Sequence, residues 1–523
     1  MTEHATRSAR AVAVLGALAL WGCAALLPAP ATGAGSGAPG ATSADDGAVV
    51  QEPDALKTPP PPGLAELATF PAVERRELGN GFGISYLRQQ NLPLARIVVT
   101  FRSGRAHEGD HVGVARVTAQ LMKLGGAGAL SGKQMIDRLE SFGSSLEVTT
   151  GSDHTSFTLS VLNPDLAPAL AALGQVLGEA RMPLAEFLRV KQAEIERTGE
   201  RARGDFQWGN QLVLFRQLFE APTGVHPYAH FDAKASDLER LQLADCSAWR
   251  LRHLVPANAE LAVVGSLEPA SVFEAAEKAF QRWQGAAAPA PSSFDRPAGP
   301  ARLEIHVIDR AESPLSLVTA GVLGAPRKSA AWPALALSTY ILGSGPASRL
   351  FLDLHEEHQW ALEIDSDLLP LRDAPSVVQV QATALSADTV PVVKSITREL
   401  ARLASEAPST DEVEHAARSL TRAFLNHPNP LKSLSEMLAT QIEFGLEPSD
   451  YDGFHQTVLE LDPASIQRVV RPYFDADQTV VVVSADAKAV AKPLAQLAPV
   501  IVLDPERDFS IRERLPYSPI PSP

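Results

Sequence analysis

Short apolar runs of two kinds recur along the chain and predict both strands and helices. Residues 94–101 are a nearly continuous apolar run, and residues 156–161 alternate polar with apolar side chains. The alternation predicts a strand with one covered face. Val114, Val117, Leu121 and Leu124 follow the spacing i, i+3, i+7, i+10, which predicts a helix with a single apolar stripe. The pattern therefore predicts an α+β protein.

The pattern is repeated once, at an offset of about 220 residues. Residues 252–265 and 471–484 both begin with Arg and end in an apolar strand. Residues 157–177 and 377–400 both read as a strand followed by a helix. The repeat predicts two homologous domains, each an antiparallel-rich sheet covered by helices, at residues 69–284 and 301–503. Residues 285–300 are predicted to be the linker between them, and the proline-bearing residues 504–523 an extended tail.

The amino-terminal segment has the features of an export signal. Arg7 and Arg10 precede an unbroken apolar run over residues 11–21. Residues 20–23, Leu-Trp-Gly-Cys, resemble a bacterial lipobox, which predicts lipidation of Cys23. On this interpretation residues 1–23 are a signal peptide and residues 24–68 a Pro/Ala/Gly-rich linker. We expect a lipid-anchored protein on the periplasmic face of a bacterial membrane; simple secretion and an uncleaved anchor are the alternatives.

Composition excludes two classes of function. The chain has 523 residues, with 46 basic and 61 acidic side chains and a net charge of −15. Such an acidic chain is a poor candidate for binding nucleic acid, which needs a basic face. Cys23 and Cys246 are the only cysteines, so neither a disulfide framework nor a cysteine-based metal site can form. Cys246 is predicted to be a buried, inert thiol.

Residues 113–121, Gly-Val-Ala-Arg-Val-Thr-Ala-Gln-Leu, resemble the motif helix of the pitrilysin/insulinase family of zinc peptidases. In that family the helix carries H-x-x-E-H, whose histidines bind Zn²⁺ and whose Glu activates the metal-bound water. Arg116 and Gln120 stand here at the histidine positions, and Ala119 stands at the Glu position. These three residues lie off the predicted apolar stripe, where the family holds its metal.

Further segments support the resemblance by their order and spacing: residues 78–84 resemble the family's opening strand, 103–108 the loop before the motif helix, 226–228 its His-Pro-Tyr segment, 256–265 its Pro-x-Asn strand, and 342–350 part of its second domain. Together they extend over residues 70–490. The chain is therefore identified as a degenerate, processing-peptidase-like member of this family. The resemblance implies two domains that form half of a clamshell.

The three replacements are incompatible with zinc chemistry. Arg116 does not deprotonate, and a positive charge about 4 Å from Zn²⁺ costs roughly 8 kcal/mol at an effective dielectric near 20. Gln120 offers only a weak neutral oxygen, and Ala119 supplies no general base. We therefore expect no bound zinc, no cofactor and no catalytic residue in this chain.

The resemblance implies a second functional pair, an Arg and a Tyr that bind substrate in the second domain. In the matching segment, residues 354–362, His355 stands at the Arg position and Leu362 at the Tyr position. A phenol that could stabilise a developing oxyanion has become a hydrocarbon.

The family's third zinc ligand is a Glu on a later helix, which the resemblance places near residues 186–200. Glu194, Glu196 and Glu200 are the candidates. With no metal to pair it, this acid is expected to form a salt bridge with Arg116, and Glu196 is the preferred partner.

The sequence thus predicts an exported, catalytically inactive homologue, a partner subunit, scaffold or peptide-binding chamber. Its expected partners are an active peptidase of the family or a second copy of itself, and extended peptides. The alternative is an active metallopeptidase with displaced ligands drawn from Glu196, Glu200, His107 and His111. A third possibility is a structural subunit like the core subunits of respiratory cytochrome complexes, which the resemblance also includes.

Overall fold

The structure is a computed structural model that describes residues 69–89, 92–221, 224–290, 294–423 and 429–519. These residues all belong to one compact unit. The predicted signal peptide, Cys23 and the linker to residue 68 lie outside the described residues. In the part of the chain that is described, every helix is too short or too polar to cross a membrane.

The first half is built on a six-stranded sheet with the order β1-β2-β8-β3-β5-β4. β2 and β8 are parallel, and the other neighbours are antiparallel. A separate pair, β6 and β7, forms a small hairpin. The strands are β1 (Val73–Glu77), β2 (Gly83–Arg88), β3 (Leu94–Phe101), β4 (Glu147–Thr150), β5 (Thr155–Leu162), β6 (Glu220–Ala221), β7 (Gly224–Val225) and β8 (Ala259–Gly265).

The helices of the first half include the motif helix α1 and the long helix α4, which contact each other. The helices are α1 (Val114–Leu124), α2 (Gly132–Glu140), α3 (Leu166–Gly178), α4 (Leu184–Gly204), α5 (Phe206–Leu218), α6 (Ala235–Arg240), α7 (Leu243–His253) and α8 (Pro269–Phe280).

The second half is built on a seven-stranded sheet with the order β11-β12-β10-β13-β9-β14-β15. β9 is parallel to both β13 and β14, and the other pairs are antiparallel. The strands are β9 (Glu304–Asp309), β10 (Leu315–Leu323), β11 (Ala361–Leu369), β12 (Val377–Leu385), β13 (Val480–Ala485), β14 (Val500–Asp504) and β15 (Ser510–Leu515).

Most helices of the second half pack on one face of this sheet, around a core of Val, Leu and Ile side chains. The helices are α9 (Trp332–Gly343), α10 (Arg349–Phe351), α11 (Thr389–Ser405), α12 (Thr410–Ala423), α13 (Pro430–Phe444), α14 (Pro448–Glu460), α15 (Pro463–Val470) and α16 (Ala487–Leu494). A π-helical turn, Leu352–Glu357, continues directly from α10.

Five strands of each sheet correspond in order and direction. β4-β5-β3-β8-β2 in the first half matches β11-β12-β10-β13-β9 in the second. The predicted fold class, two α+β halves with antiparallel-rich sheets, is confirmed. The sheets differ at the edge, because β1 is antiparallel to β2 whereas β14 is parallel to β9. The second sheet also extends into the predicted tail, since β15 pairs with β14. β15 is exposed along nearly its whole length, so backbone pairing with β14 rather than apolar burial holds it, and no apolar pattern in the sequence marks it as a strand.

Each half contributes one helix that packs against the sheet of the other half. α5 packs its apolar side against β10 and β13 of the second sheet, and α13 packs against β3 and β8 of the first. Leu214 of α5 and Leu438 of α13 are fully buried in these contacts. Each sheet therefore has its own helices on one face and a helix of the other half on the opposite face, so the halves form one packed body.

Candidate functional site

The motif helix α1 is held at its amino-terminal end by a buried acid. Both carboxylate oxygens of Glu108 accept backbone hydrogen bonds, from Gly113 N at 2.7 Å and Ala115 N at 3.0 Å. Gly113 adopts φ 93°, and a Cβ there would lie 2.7 Å from Leu238 Cδ2, so glycine is required. The helix start is thus fixed independently of any metal, which explains why the helix persists after its motif has changed.

The helix that should carry the third ligand packs across α1. The buried positions of α4 are Phe187, Val190, Glu194 and Thr198, spaced at three or four residues. This stripe turns Glu194 toward α1, where Arg116 Nε lies 2.9 Å from Glu194 Oε2. Arg197 Nη2 contacts the same oxygen. Glu194 is therefore shared by two guanidinium groups.

The preferred partner of Arg116, Glu196, was the wrong choice among the three candidate acids. Glu196 and Glu200 are exposed, and Glu196 accepts a hydrogen bond from Gln192 Nε2 at 2.8 Å. Glu196 lies two residues beyond Glu194, a rotation of about 200° around the helix. It therefore faces away from α1.

The ion pair continues into a larger cluster of opposite charges. The Asp232 side chain is 10% exposed, and it accepts hydrogen bonds from Trp208 Nε1 at 3.0 Å and Arg201 Nη1 at 3.2 Å. Arg201 also reaches Asp205 through Nε at 3.0 Å. Burial alone would raise the pKa of Asp232, but Arg105, Arg116 and Arg201 hold it below its usual value. The carboxylate is therefore ionised and fully used.

Arg105 completes the cluster from the loop before α1. Its guanidinium lies 5.2 Å from the centre of the Phe231 ring, and Asp232 and Glu108 are the acids that act on it electrostatically. Burial lowers the pKa of Arg105, as expected for a cation partly removed from water. Burial also raises the pKa of Glu108 to about 8, against the opposing effects of its two N–H donors and of Arg105.

Ala119 and Gln120, the other two motif positions, differ from the family in their surroundings as well as in their side chains. Ala119 is fully buried and belongs to the core of the first half, although the sequence places it off the apolar stripe. The stripe is wider than predicted because α1 packs against α7, α4 and β4 on different sides. Gln120 is half-buried. A methyl group in the core therefore replaces the general base of the family.

These residues do not fit the zinc that the resemblance implies. The ligand positions hold a permanent cation and a neutral amide, and Glu194 is already paired with Arg116 and Arg197. A metal ligand must present a lone pair on an uncharged nitrogen, a thiolate or a free carboxylate. The arrangement can bind an anion, but it opposes a cation.

The structure does not bring the proposed displaced ligands together. His107 Nε2 lies 2.9 Å from Arg372 Nη2, and burial together with Arg372 lowers the pKa of His107 to about 4. His111 is exposed and lies 3.6 Å from Asp245. Among the described residues, three potential ligands converge only at Asp353, Glu357 and His358. That group lies on the π-helical turn of the second half.

The second functional pair of the family is replaced in structure as well as in sequence. His355 Nδ1 lies 3.1 Å from the carbonyl oxygen of Ala361, so the imidazole forms a local hydrogen bond across the turn before β11. Leu362 is 57% exposed on β11, at the irregularity in its pairing with β12. Neither side chain can donate a hydrogen bond to a substrate carbonyl in the way that Arg and Tyr can.

Sequence reasoning missed Arg105, Arg201 and Asp232. Asp232 is 116 residues from Arg116, and no motif spacing connects them. The position of Glu194 could have been found, because Phe187, Val190, Glu194 and Thr198 form a helical stripe that already contains two apolar side chains.

Comparison with known proteins places both halves in one family. Residues 86–223 match the sequence profile described as insulinase (peptidase family M16), and residues 240–420 match that of the peptidase M16 inactive domain. The second profile runs from the end of the first half into the second and does not include the motif helix, so the changes at Arg116, Ala119 and Gln120 are an additional departure within the first profile.

Three relatives illustrate the range of similar proteins. Cytochrome b-c1 complex subunit 1 from Bos taurus mitochondria is 20% identical over 220 residues, which are 42% of this chain and 45% of that protein. A peptidase M16 inactive domain from Pseudomonas fluorescens superposes with a TM-score of 0.72 at 20% identity, over 79% of this chain and 98% of that one. A protease from Helicobacter pylori gives 0.71 at 21% identity, over 80% and 100%.

Proposed function

Because this chain belongs to the insulinase family of peptidases, family M16, we propose that it is a non-catalytic member that acts as a partner subunit, scaffold or peptide-binding chamber. One observation carries the proposal: Arg116 occupies a ligand position and forms an ion pair with Glu194 at 2.9 Å. This pair replaces an attraction between metal and carboxylate with one between guanidinium and carboxylate. The helix packing is retained while the chemistry is lost.

Zinc content and hydrolysis test the proposal directly. We expect the purified chain, dialysed after exposure to micromolar zinc sulfate, to retain far less than one zinc per chain by elemental analysis. It should also fail to hydrolyse fluorescein-labelled casein above the buffer rate. Stoichiometric zinc in the unaltered chain, together with hydrolysis that a chelator abolishes, would instead establish the displaced-ligand peptidase.

A reconstructed site provides the matched comparison. The variant R116H/Q120H restores the two histidine positions, and adding R197A releases Glu194 as a third ligand. We expect this triple variant to gain about one zinc per chain, whereas R197A alone gains none. Ala119 is left unchanged, because a carboxylate at that buried position would be destabilising without a metal.

The partner role rests on resemblance to proteins that work in assemblies. The match to a protein named as a subunit of the cytochrome b-c1 complex supports association with another family chain. A single chain of 55.7 kDa should then appear by light scattering as a species of about twice that mass, alone or with an active family peptidase. A monomer under both conditions would argue against a partner subunit.

The location of the protein is proposed from residues 1–23 alone. Lipidation at Cys23 would place the body on the periplasmic face of a bacterial membrane, tethered by the Pro/Ala/Gly-rich linker. We expect Cys23 to be the first residue of the mature protein, and C23A to leave the membrane fraction. If C23A still partitions with membranes, an uncleaved anchor is the correct interpretation.

A further inference from the structure

The face that holds a metal cation in zinc-binding members of the family is lined with cations in this protein. Four guanidinium groups, those of Arg105, Arg116, Arg197 and Arg201, share one cluster of carboxylates. The acids of that cluster are Glu108, Glu194, Asp205 and Asp232. The cluster thus contains four arginines and four acids, and its binding capacity depends on which guanidinium N–H groups have no acceptor.

Most carboxylate oxygens of the cluster are committed to other groups. Glu194 Oε2 accepts a hydrogen bond from Arg197 and forms the ion pair with Arg116. Asp232 is bound by Arg201, Trp208 and the backbone of residue 233. Asp205 binds Arg201 and caps the start of α5 through Trp208 N at 2.8 Å. Both oxygens of Glu108 accept backbone hydrogen bonds at the start of α1. Among the contacts of the described residues, seven of the eight carboxylate oxygens therefore have a partner, and Glu194 Oε1 is the exception.

Two of the guanidinium groups, by contrast, have N–H groups without a protein acceptor among the described residues. In the described part of the chain Arg105 forms no ion pair, and its buried Nε has no hydrogen-bond partner. Arg116 pairs with Glu194 through Nε, and its side chain is 26% exposed. Glu108 cannot pair directly with Arg105, because both of its oxygens accept backbone N–H groups at the start of α1. Within the described structure, Arg105 is therefore the cation of the cluster that has no carboxylate of its own.

We propose that Arg105 and Arg116 together bind the carboxylate of a peptide. The planar guanidinium groups match a carboxylate in shape and charge, and partial burial strengthens such charge-assisted bonds. A singly charged carboxylate matches the one guanidinium of the described cluster that lacks an ion pair, whereas a doubly charged phosphate would be repelled more strongly by Glu194 and Asp232 nearby. The inference rests on the proposed peptide-binding role and names what the altered site recognises.

The carboxylate can be the carboxyl terminus of a peptide or an acidic side chain within it. Three probes separate these sources: tetra-alanine labelled with the uncharged dansyl group as the free acid, the same peptide as its amide, and an amide in which the third alanine is glutamate. Fluorescence anisotropy with the full chain should show one or both acidic probes binding at least tenfold more tightly than the neutral amide. The stronger acidic probe identifies the source.

Variants assign the preference to the two arginines. R105Q and R116Q should each reduce the preference for the acidic probe to less than threefold, and R105K should retain part of it because the charge remains. R189Q is the matched control, since Arg189 lies on α4 and pairs with Glu186 at the surface. Unfolding midpoints for every variant show whether the fold is intact, and R105K maintains the test if R105Q does not fold.

Two outcomes would overturn the inference: equal affinity for all three probes, or an unchanged preference in R105Q and R116Q. The absence of measurable binding by any probe at 5 mM overturns it as well. None of these results bears on zinc content or hydrolysis, so the non-catalytic role would stand or fall on its own measurements.

Discussion

At the scale of single residues, Arg116 places a permanent positive charge at a position where the family has a neutral metal-binding histidine. The carboxylate of Glu194 needs a positive partner because it is largely buried, with its side chain 11% exposed. Arg116 and Arg197 provide that partner in place of a metal ion. The acid therefore remains tolerable in a chain that has lost the ligands around it.

The shared pairing predicts coupled effects of mutation. Arg116→Ala should lower the free energy of unfolding by only about 1–2 kcal/mol, because Arg197 still neutralises Glu194. Arg197→Ala should behave similarly. The double variant strands the carboxylate and should cost more than the sum of the singles by about 1 kcal/mol or more. Urea denaturation of the four proteins measures this coupling.

The exposed pair between Arg189 and Glu186 is the control on the same helix. Its loss should change the free energy of unfolding by about 0.5 kcal/mol or less. Strict additivity of R116A and R197A would show that the two arginines do not share Glu194.

At the scale of elements, the most consequential feature is the exchange of helices between halves. α13 comes from the second half, yet its apolar face covers the first sheet through Leu431, Leu434, Leu438 and Ile442. α5 does the reverse, and it begins directly after α4, which carries Glu194. The site is thus joined to the second sheet by one short connection at Asp205.

Leu438→Ala should therefore destabilise the first half although it lies in the second. Leu438 is fully buried, and truncation of such a leucine typically costs about 2–5 kcal/mol. Amide hydrogen exchange should speed up in β3 and β8 as well as in α13. Leu459→Ala on α14, where the side chain is 37% exposed, is the matched control and should have a small effect. Exchange that rises only in residues 430–444 would contradict the exchanged packing.

At the scale of the whole molecule, a buried polar joint links the halves next to the site. The Tyr228 hydroxyl donates to Asp153 and accepts from Asp373 N at 3.1 Å, while Arg372 N donates to Asp153 at 2.9 Å. His154 Nδ1 lies 2.8 Å from Glu443 on α13. The His-Pro-Tyr segment noticed in the sequence is therefore part of the connection between the halves.

The joint predicts a pH dependence of stability. Burial and the nearby Glu443 raise the pKa of Asp153 to about 6, above its value of about 3.9 in an unfolded chain. The folded state then holds its proton more tightly, so the contribution of Asp153 is full below pH 4 and is lost as pH rises through 6. Between pH 4.5 and 7.5 the loss should be about 2 kcal/mol.

Comparison with Asp153→Asn isolates this contribution. Chemical denaturation at the two pH values should show a decrease that is about 2 kcal/mol larger in the unaltered protein than in the variant. Tyr228→Phe should steepen the decrease, because the hydroxyl bond lowers the pKa of Asp153 in the intact protein. A pH profile identical in the unaltered protein and D153N would show that Asp153 does not titrate in this range.

The fold class, the repeat and the replacement of the zinc motif all follow from local patterns in the amino-acid sequence. β3 matches the apolar run at residues 94–101, and β12 begins at residue 377, where the predicted strand-helix segment begins, because the apolar side chains that define a strand are local in sequence. The nature of Arg116, Ala119 and Gln120 is likewise readable without coordinates, since the ability to bind a metal is a property of the side chain itself.

Only the tertiary structure decided which groups meet. The rotation of α4 selected Glu194 over Glu196, and the packing of distant loops brought Arg105 and Asp232 to the same cluster. The exchange of α5 and α13 depends on burial between residues that are far apart in sequence. The addition of β15 depends on backbone pairing with β14, which no side-chain pattern announces. Charge pairing follows from that packing, because a buried acid must take whichever cation the fold places beside it.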